Sequence, residues 1–142
     1  MLMYKREEIN KKFPILRTKC DTIFNPVSCD GVMGKGYSAI LKEVDKDMHE
    51  SYKNFCFSRS FTPGKIQVWN KNKYWKIINA GIKSEWRDTA DQLYFIDILY
   101  KISNKFKEAG IENLAMPKKI DNLDIEALIH NFEGKLPNIV FY

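Results

Sequence analysis

The chain has 142 residues, 44% of them apolar and 29% charged, which suits one globular domain able to bury roughly two-thirds of its unfolded surface. It carries no long apolar run, no signal-peptide pattern and no lipidation motif, so neither secretion nor membrane attachment is expected. Lys and Arg number 23 against 18 Asp and Glu, and the net charge of +5 favours a polyanionic partner, nucleic acid or nucleotide, about as much as it fits a lysine-rich chain with no partner.

Residues 1 to 19 hold an apolar start (Leu2, Met3, Tyr4), a charged run from Lys5 to Glu8, and Phe13-Pro14-Ile15-Leu16. Thr22-Ile23-Phe24 is a β-branched and aromatic run that predicts a strand. After it come Asn25-Pro26, a loop with glycines at 31, 34 and 36, and a helical period from Tyr37 to Val44. Asp45 to Phe55 predicts a second helix or a continuation of the first. Pro63-Gly64 marks a turn. Lys65 to Trp69 alternates as a strand, Asn70 to Lys73 is turn material, and Tyr74 to Asn79 returns as the other half of a hairpin. Ala80 to Arg87 reads as a loop.

Thr89-Ala90-Asp91-Gln92 has the form of a capping box with Thr89 as N-cap. Phe95, Leu99, Ile102 and Phe106 follow at helical spacing, and Gly110 suits the C-cap. Ile111 to Met116 predicts a buried strand ending at Pro117. Ile125, Leu128, Ile129 and Phe132 predict a helix closed by Gly134 and Pro137, and Asn138 to Tyr142 predicts a terminal strand. Strands alternating with helices imply an α/β sandwich, a mixed sheet covered on both faces, with loops 25 to 37, 80 to 87 and 117 to 124 converging at the carboxyl ends of the strands.

Cys20, Cys29 and Cys56 are scattered, without a C-x-x-C and without metal-like spacing to His49 or His130. Reduced thiols in a cytoplasm are expected, with no metal and no cofactor. The Lys, Asn and Ile-rich composition fits an AT-rich genome, bacterial or viral.

The glycine loop between a strand and a helix is the form of a phosphate site: glycines admit positive φ and close backbone approach, and a helix start favours an anion. Gly31 and Gly36 have the outer spacing of a P-loop, but Tyr37 and Ser38 stand where its Lys and Ser/Thr belong. Gly34 to Ala39 fits G-x-G-x-x-G/A, yet no acidic residue ends a strand about 20 residues on, as a dinucleotide fold requires.

The whole string NPVSCDGVMGKGYSAILK resembles the first ligand loop of macro domains, in the branch that contains the terminal ADP-ribose glycohydrolase and the antitoxin of the DarT/DarG DNA ADP-ribosylation system. The resemblance implies a three-layer α/β/α macro domain over residues 1 to 142. It implies ligand contacts from Asn25, Ser28 and the run Gly31, Val32, Met33, Gly34, Lys35, Gly36 and Tyr37. It implies an adenine contact from Glu8, the counterpart of the family's acidic residue after its first strand, and another from Tyr142 at the end of the last strand.

Asn79, Lys83, Trp86 and Arg87 match that branch's N-x-x-T/I-K-x-x-W-R pattern, which implies Lys83 as the nucleophile, beside Ile82 in the ligand loop. Its amine would attack the anomeric carbon of the distal ribose and displace the modified group. An amine does this only when neutral, a form that partial burial or a neighbouring cation favours. Set beside the branch, Leu123-Asp124 falls on a Leu-Asp pair whose carboxylate resolves the lysine adduct, so Asp124 is the implied acid/base. Asp121, Asn122 or Asp124 serves equally as the N-cap of the next helix.

One departure stands out. After Pro117 the family carries a glycine-rich second phosphate loop, whereas here Lys118 and Lys119 begin a stretch with no glycine and would supply side-chain charge instead. Three functions follow from these residues: an ADP-ribosyl glycohydrolase, cleaving an N- or O-glycosyl bond to release mono-ADP-ribose from DNA or protein; a module that binds ADP-ribose without turnover; or a basic nucleic-acid-binding protein on the same scaffold. Under the first, the partner is ADP-ribose or an ADP-ribosylated macromolecule, with DNA contact, no membrane, and a monomeric chain.

Overall fold

The structure, a computed structural model, describes residues 7–72 and 74–142, the side chains of Glu7, Glu8 and Asn10 excepted. Among them, β1 (Thr22–Ser28), β2 (Ile66–Asn72), β3 (Trp75–Lys83), β4 (Asn113–Met116) and β5 (Asn138–Phe141) form one sheet in the order β2-β3-β1-β4-β5. The helices are α1 (Glu7–Lys12), α2 (Gly36–Val44), α3 (Lys46–Phe57), α4 (Gln92–Lys105) and α5 (Ile125–His130), with a 3-10 turn at Pro14–Arg17. β1 runs parallel to β3 and β4, β4 parallel to β5, and β2 antiparallel to β3, so the sheet is mixed.

The two faces of the sheet follow from the two-residue period of its strands. Phe24, Ile78, Ala80, Ile82, Leu114 and Met116 pack with Phe95, Ile98, Leu99 and Ile102 of α4 and with Ile125 and Leu128 of α5. Ile23, Val27, Ile77 and Ala115 pack on the other side with Leu41 of α2 and with Met48, Tyr52 and Cys56 of α3. Helices cover both faces, which gives three layers. Full burial of each Val, Leu, Ile, Phe or Met side chain among them contributes about 1.5–3 kcal/mol. Because both faces are covered, β3 is buried from Trp75 to Ile82 without alternation.

Three strands run further than the sequence predicts, β2 among them, since Asn70 to Asn72, read as turn material, belongs to it. Asn25-Pro26, read as the start of a loop, lies inside β1, and Ala80 to Lys83, read as loop, completes β3. Pro26 is accommodated because β4 pairs with β1 only at Thr22 and Ile23, so the ladder on that side has ended before a missing N–H matters. Beyond it the β1/β3 register shifts. Val27 lies opposite Gly81 and Ser28 opposite Lys83, leaving Ile82 as the extra residue of a bulge.

The helix limits hold one further correction. Asp91, not Thr89, is the N-cap of α4, its carboxylate accepting from Leu93 N at 2.8 Å. Just before it, Ala90 N donates to Asp121 Oδ2 at 2.6 Å across 31 residues of sequence. After α4 the chain turns on to Gly110, where Gly110 N donates to Lys107 O and Ile111 N to Phe106 O, the paired bonds of a Schellman motif. Asp45 separates α2 from α3, capping Met48 N at 3.1 Å and accepting from the Trp69 indole at 2.8 Å.

Candidate functional site

β1 and β3 end side by side, β4 ends one strand away, and the three segments that follow open on one cavity of about 510 Å³. Its wall takes Pro26, Val27 and Ser28 from the end of β1, Val32 to Lys35 from the loop, and Tyr37 and Ser38 from the start of α2. Ile82, Lys83 and Trp86 come from the end of β3 and beyond, and Pro117, Lys119, Ile120 and Asp121 from the segment after β4. The cavity thus lies at the carboxyl ends of parallel strands, where α/β sheets leave a crevice.

The first loop is held from beneath and from the side. Tyr52 is fully buried and donates its hydroxyl to Ser28 O at 2.7 Å. Asp30 Oδ1 accepts from Ser28 Oγ at 2.6 Å and from Val32 N at 3.2 Å, while Asp30 Oδ2 accepts from Trp86 N at 2.8 Å. One carboxylate therefore ties the first loop to the second, 56 residues away in sequence. Partial burial works against its charge, but the hydrogen bonds from Ser28, Trp86 and Val32 outweigh that and hold it below the usual carboxylate range.

A buried chain of polar groups fixes the floor. Ser38 Oγ donates to Asn25 Oδ1. Asn25 Nδ2 donates to Asn79 Oδ1 at 2.9 Å, Asn79 Nδ2 to Gln67 Oε1 at 2.9 Å, and Gln67 Nε2 to Ser51 Oγ at 2.9 Å. α2, β1, β3, β2 and α3 are thereby linked in one directed series, with Asn25 and Asn79 wholly buried.

Lys35, Lys83 and Lys119 line the cavity against Asp121, whose Oδ2 already accepts from Ala90 N, so the wall favours an anion. No side chain caps the first turn of α2, whose residues Tyr37 and Ser38 lie on that wall. Burial pushes the Cys29 thiol up to about 12, which keeps it protonated and unreactive near neutral pH. Among the described residues no group of three His, Cys, Asp or Glu side chains is arranged to hold a metal ion, and no helix is long and apolar enough to cross a membrane.

Of the residues singled out from sequence, Ser28, Val32, Met33, Gly34, Lys35, Tyr37, Ile82, Lys83 and Lys119 line the cavity. Asn25 lies beneath it in the polar chain. Gly31 and Gly36 shape the loop with φ of +86° and +58°. Gly34 does not adopt a positive φ, contrary to the sequence reading, and a Cβ there would meet only Val32 at 3.6 Å. Three residues stand apart from the cavity wall. Asp124 caps α5 through Ala127 N at 3.3 Å; Lys118 is exposed, its N–H bonded to Tyr142 O; and Tyr142 donates its hydroxyl to Thr18 Oγ1 at 2.7 Å. The Glu8 side chain lies outside the described residues. Trp86, Ser38 and Asp121 join the wall without having been assigned to it; Trp86 was visible in the matched pattern, whereas Asp121 gave no signal beyond its place near the helix start.

No family model matches the chain. The DNA ADP-ribosyl glycohydrolase of Mycobacterium tuberculosis is 27% identical over 134 residues, covering 88% of this chain and 38% of that protein. The macrodomain of Mycobacterium tuberculosis DarG superposes with a TM-score of 0.79 at 27% identity, covering 90% of this chain and 91% of that one. The chain has the macrodomain fold and is similar to the macrodomains of DarG. Thermosipho africanus DarTG, solved in complex with ADP-ribose, shares the fold at TM-score 0.77 and 20% identity, over 87% of this chain and 38% of that one. The macrodomain described here spans 38% of the length of the first curated relative it matches.

Proposed function

We propose that this macrodomain binds ADP-ribose and removes mono-ADP-ribose from a macromolecule, DNA above protein. The observation that carries the proposal is the position of Lys83, a half-buried lysine on the wall of a cavity it shares with the glycine loop, Lys35, Lys119 and the start of α2. In this reading the loop and the lysines hold the diphosphate, and the β-bulge at Ile82 turns Lys83 toward the distal ribose. The Lys83 amine attacks the anomeric carbon, the glycosyl bond to the modified group breaks, and water then releases ADP-ribose from the lysine adduct. DNA as the substrate class rests on the name of the Mycobacterium tuberculosis relative and on the net charge of +5. The site would act as a single domain, as a monomer, in a cytoplasm.

For the assisting carboxylate, Asp121 is the better candidate than Asp124, because Asp121 lines the cavity even with its Oδ2 bonded to Ala90 N, whereas Asp124 lies off the wall, engaged as the cap of α5. That same engagement favours a second reading, a module that binds ADP-ribose without turnover. Release of ADP-ribose from an ADP-ribosylated oligonucleotide separates the two. Under the hydrolase reading wild type turns over, Lys83→Ala falls to the uncatalysed background, and Asp121→Asn loses roughly 10²-fold or more. Binding of ADP-ribose by wild type with no release under any of these conditions selects the second reading.

A further inference from the structure

Trp86 is the residue at the cavity that the proposed chemistry does not use. It is 48% exposed, unlike Trp75 in the core at 7%, yet it is not loosely held: its N–H donates to Asp30 Oδ2 at 2.8 Å, which fixes the backbone beneath the ring. The Arg87 guanidinium carbon sits 5.7 Å from the indole centroid, within range for a cation–π contact. Val32, 43% exposed, lines the same mouth. The nearby carboxylates are already engaged: Asp30 by three donors, Glu85 by Arg87 at 3.5 Å, and Asp88 by Glu85 N at 2.9 Å. A half-exposed indole on a fixed backbone is thus offered to solvent at the cavity mouth, beside a guanidinium.

We infer that Trp86, flanked by Arg87, is a base-stacking platform that holds the nucleotide adjoining the modified one. The inference rests on the reading of the cavity as an ADP-ribose site and extends it outward along the strand. Charge complementarity selects the occupant: a phosphodiester backbone passing the mouth meets Arg87 and Lys119, while any base stacks on indole with little dependence on its identity. A duplex cannot use the platform, since its bases are stacked on one another.

The test compares free ADP-ribose, a single-stranded pentanucleotide carrying ADP-ribose on its central base, and an ADP-ribosylated peptide as ligands for wild type, Trp86→Ala and Trp86→Phe. The expected result is a loss of affinity in Trp86→Ala that is about tenfold greater for the pentanucleotide than for free ADP-ribose, with most of it regained in Trp86→Phe. Quenching of tryptophan fluorescence by the pentanucleotide is expected in wild type and absent in Trp86→Phe. Equal losses for free ADP-ribose and pentanucleotide reduce Trp86 to a wall of the ADP-ribose site and overturn the platform. A loss as large for the peptide as for the pentanucleotide overturns the assignment to nucleic acid. Wild type that binds no ADP-ribose overturns the function of the cavity itself, a result distinct from either.

Discussion

Loop 29–35 brings glycines and an uncapped helix start to the cavity, whereas segment 117–121 brings lysine side chains and a turn in which Asp121 adopts φ of +48°. The first is a backbone segment fixed in place by Asp30 and Tyr52. The second presents charges on flexible stems, its backbone anchored through Lys118 N on Tyr142 O and its Asp121 carboxylate through Ala90 N. A phosphate bound by fixed amides loses little affinity to salt and depends on loop geometry; one bound by exposed lysines is screened over about 8–10 Å at moderate salt. The two halves of one site should therefore fail in different ways.

The largest effect on the first loop is expected from Asp30→Asn. It removes a charged acceptor shared by Ser28, Val32 and Trp86, and should cost about 2 kcal/mol in urea unfolding while weakening ADP-ribose binding. The same carboxylate predicts a pH dependence. Its folded pKa lies below the unfolded value, so its stabilisation is complete above the ordinary carboxylate range and is lost as pH falls through the lowered one. Urea midpoints measured between pH 6 and pH 3 should fall less steeply in Asp30→Asn than in wild type. Tyr52→Phe, which leaves Ser28 O without its donor, should cost about 1–2 kcal/mol with the same assay.

On the other side of the comparison, Lys119→Ala should weaken ADP-ribose binding roughly 5- to 10-fold at low salt and flatten the salt dependence of what remains. Lys118→Ala, at an exposed side chain off the wall, should change binding by about twofold or less. If Lys118 proves as important as Lys119, segment 117–121 binds its anion from another direction than the cavity suggests.

These contrasts also explain what the sequence disclosed. Strand–loop–helix order, the β2/β3 hairpin and the α4 and α5 periods were legible because each rests on local spacing: Phe95, Leu99 and Ile102 mark the buried face of α4 wherever it packs. Strand ends were not, because Pro26 looks like a loop residue until β4 is seen to have left the ladder, and Gly81 looks like a turn until β3 is seen to continue to Lys83. The α4 N-cap lies at Asp91 rather than Thr89, and the Ala90–Asp121 bond beside it joins residues 31 apart, which no local pattern encodes. In the site, the glycine loop and Lys83 were readable as motifs. Asp30 as a staple and Asp121 on the wall depend on loops meeting in space, and only the fold supplies that.

The central claim, that these loops form an ADP-ribose site, is tested most directly by calorimetric titration of ADP-ribose into wild type and Gly34→Glu. Gly34 lines the cavity with room for a Cβ, so glutamate there should fold normally while setting a carboxylate against the diphosphate. The account predicts binding by wild type that weakens by about 10²-fold or more in Gly34→Glu, with unchanged thermal unfolding. Equal binding by both proteins, or none by wild type, would contradict it.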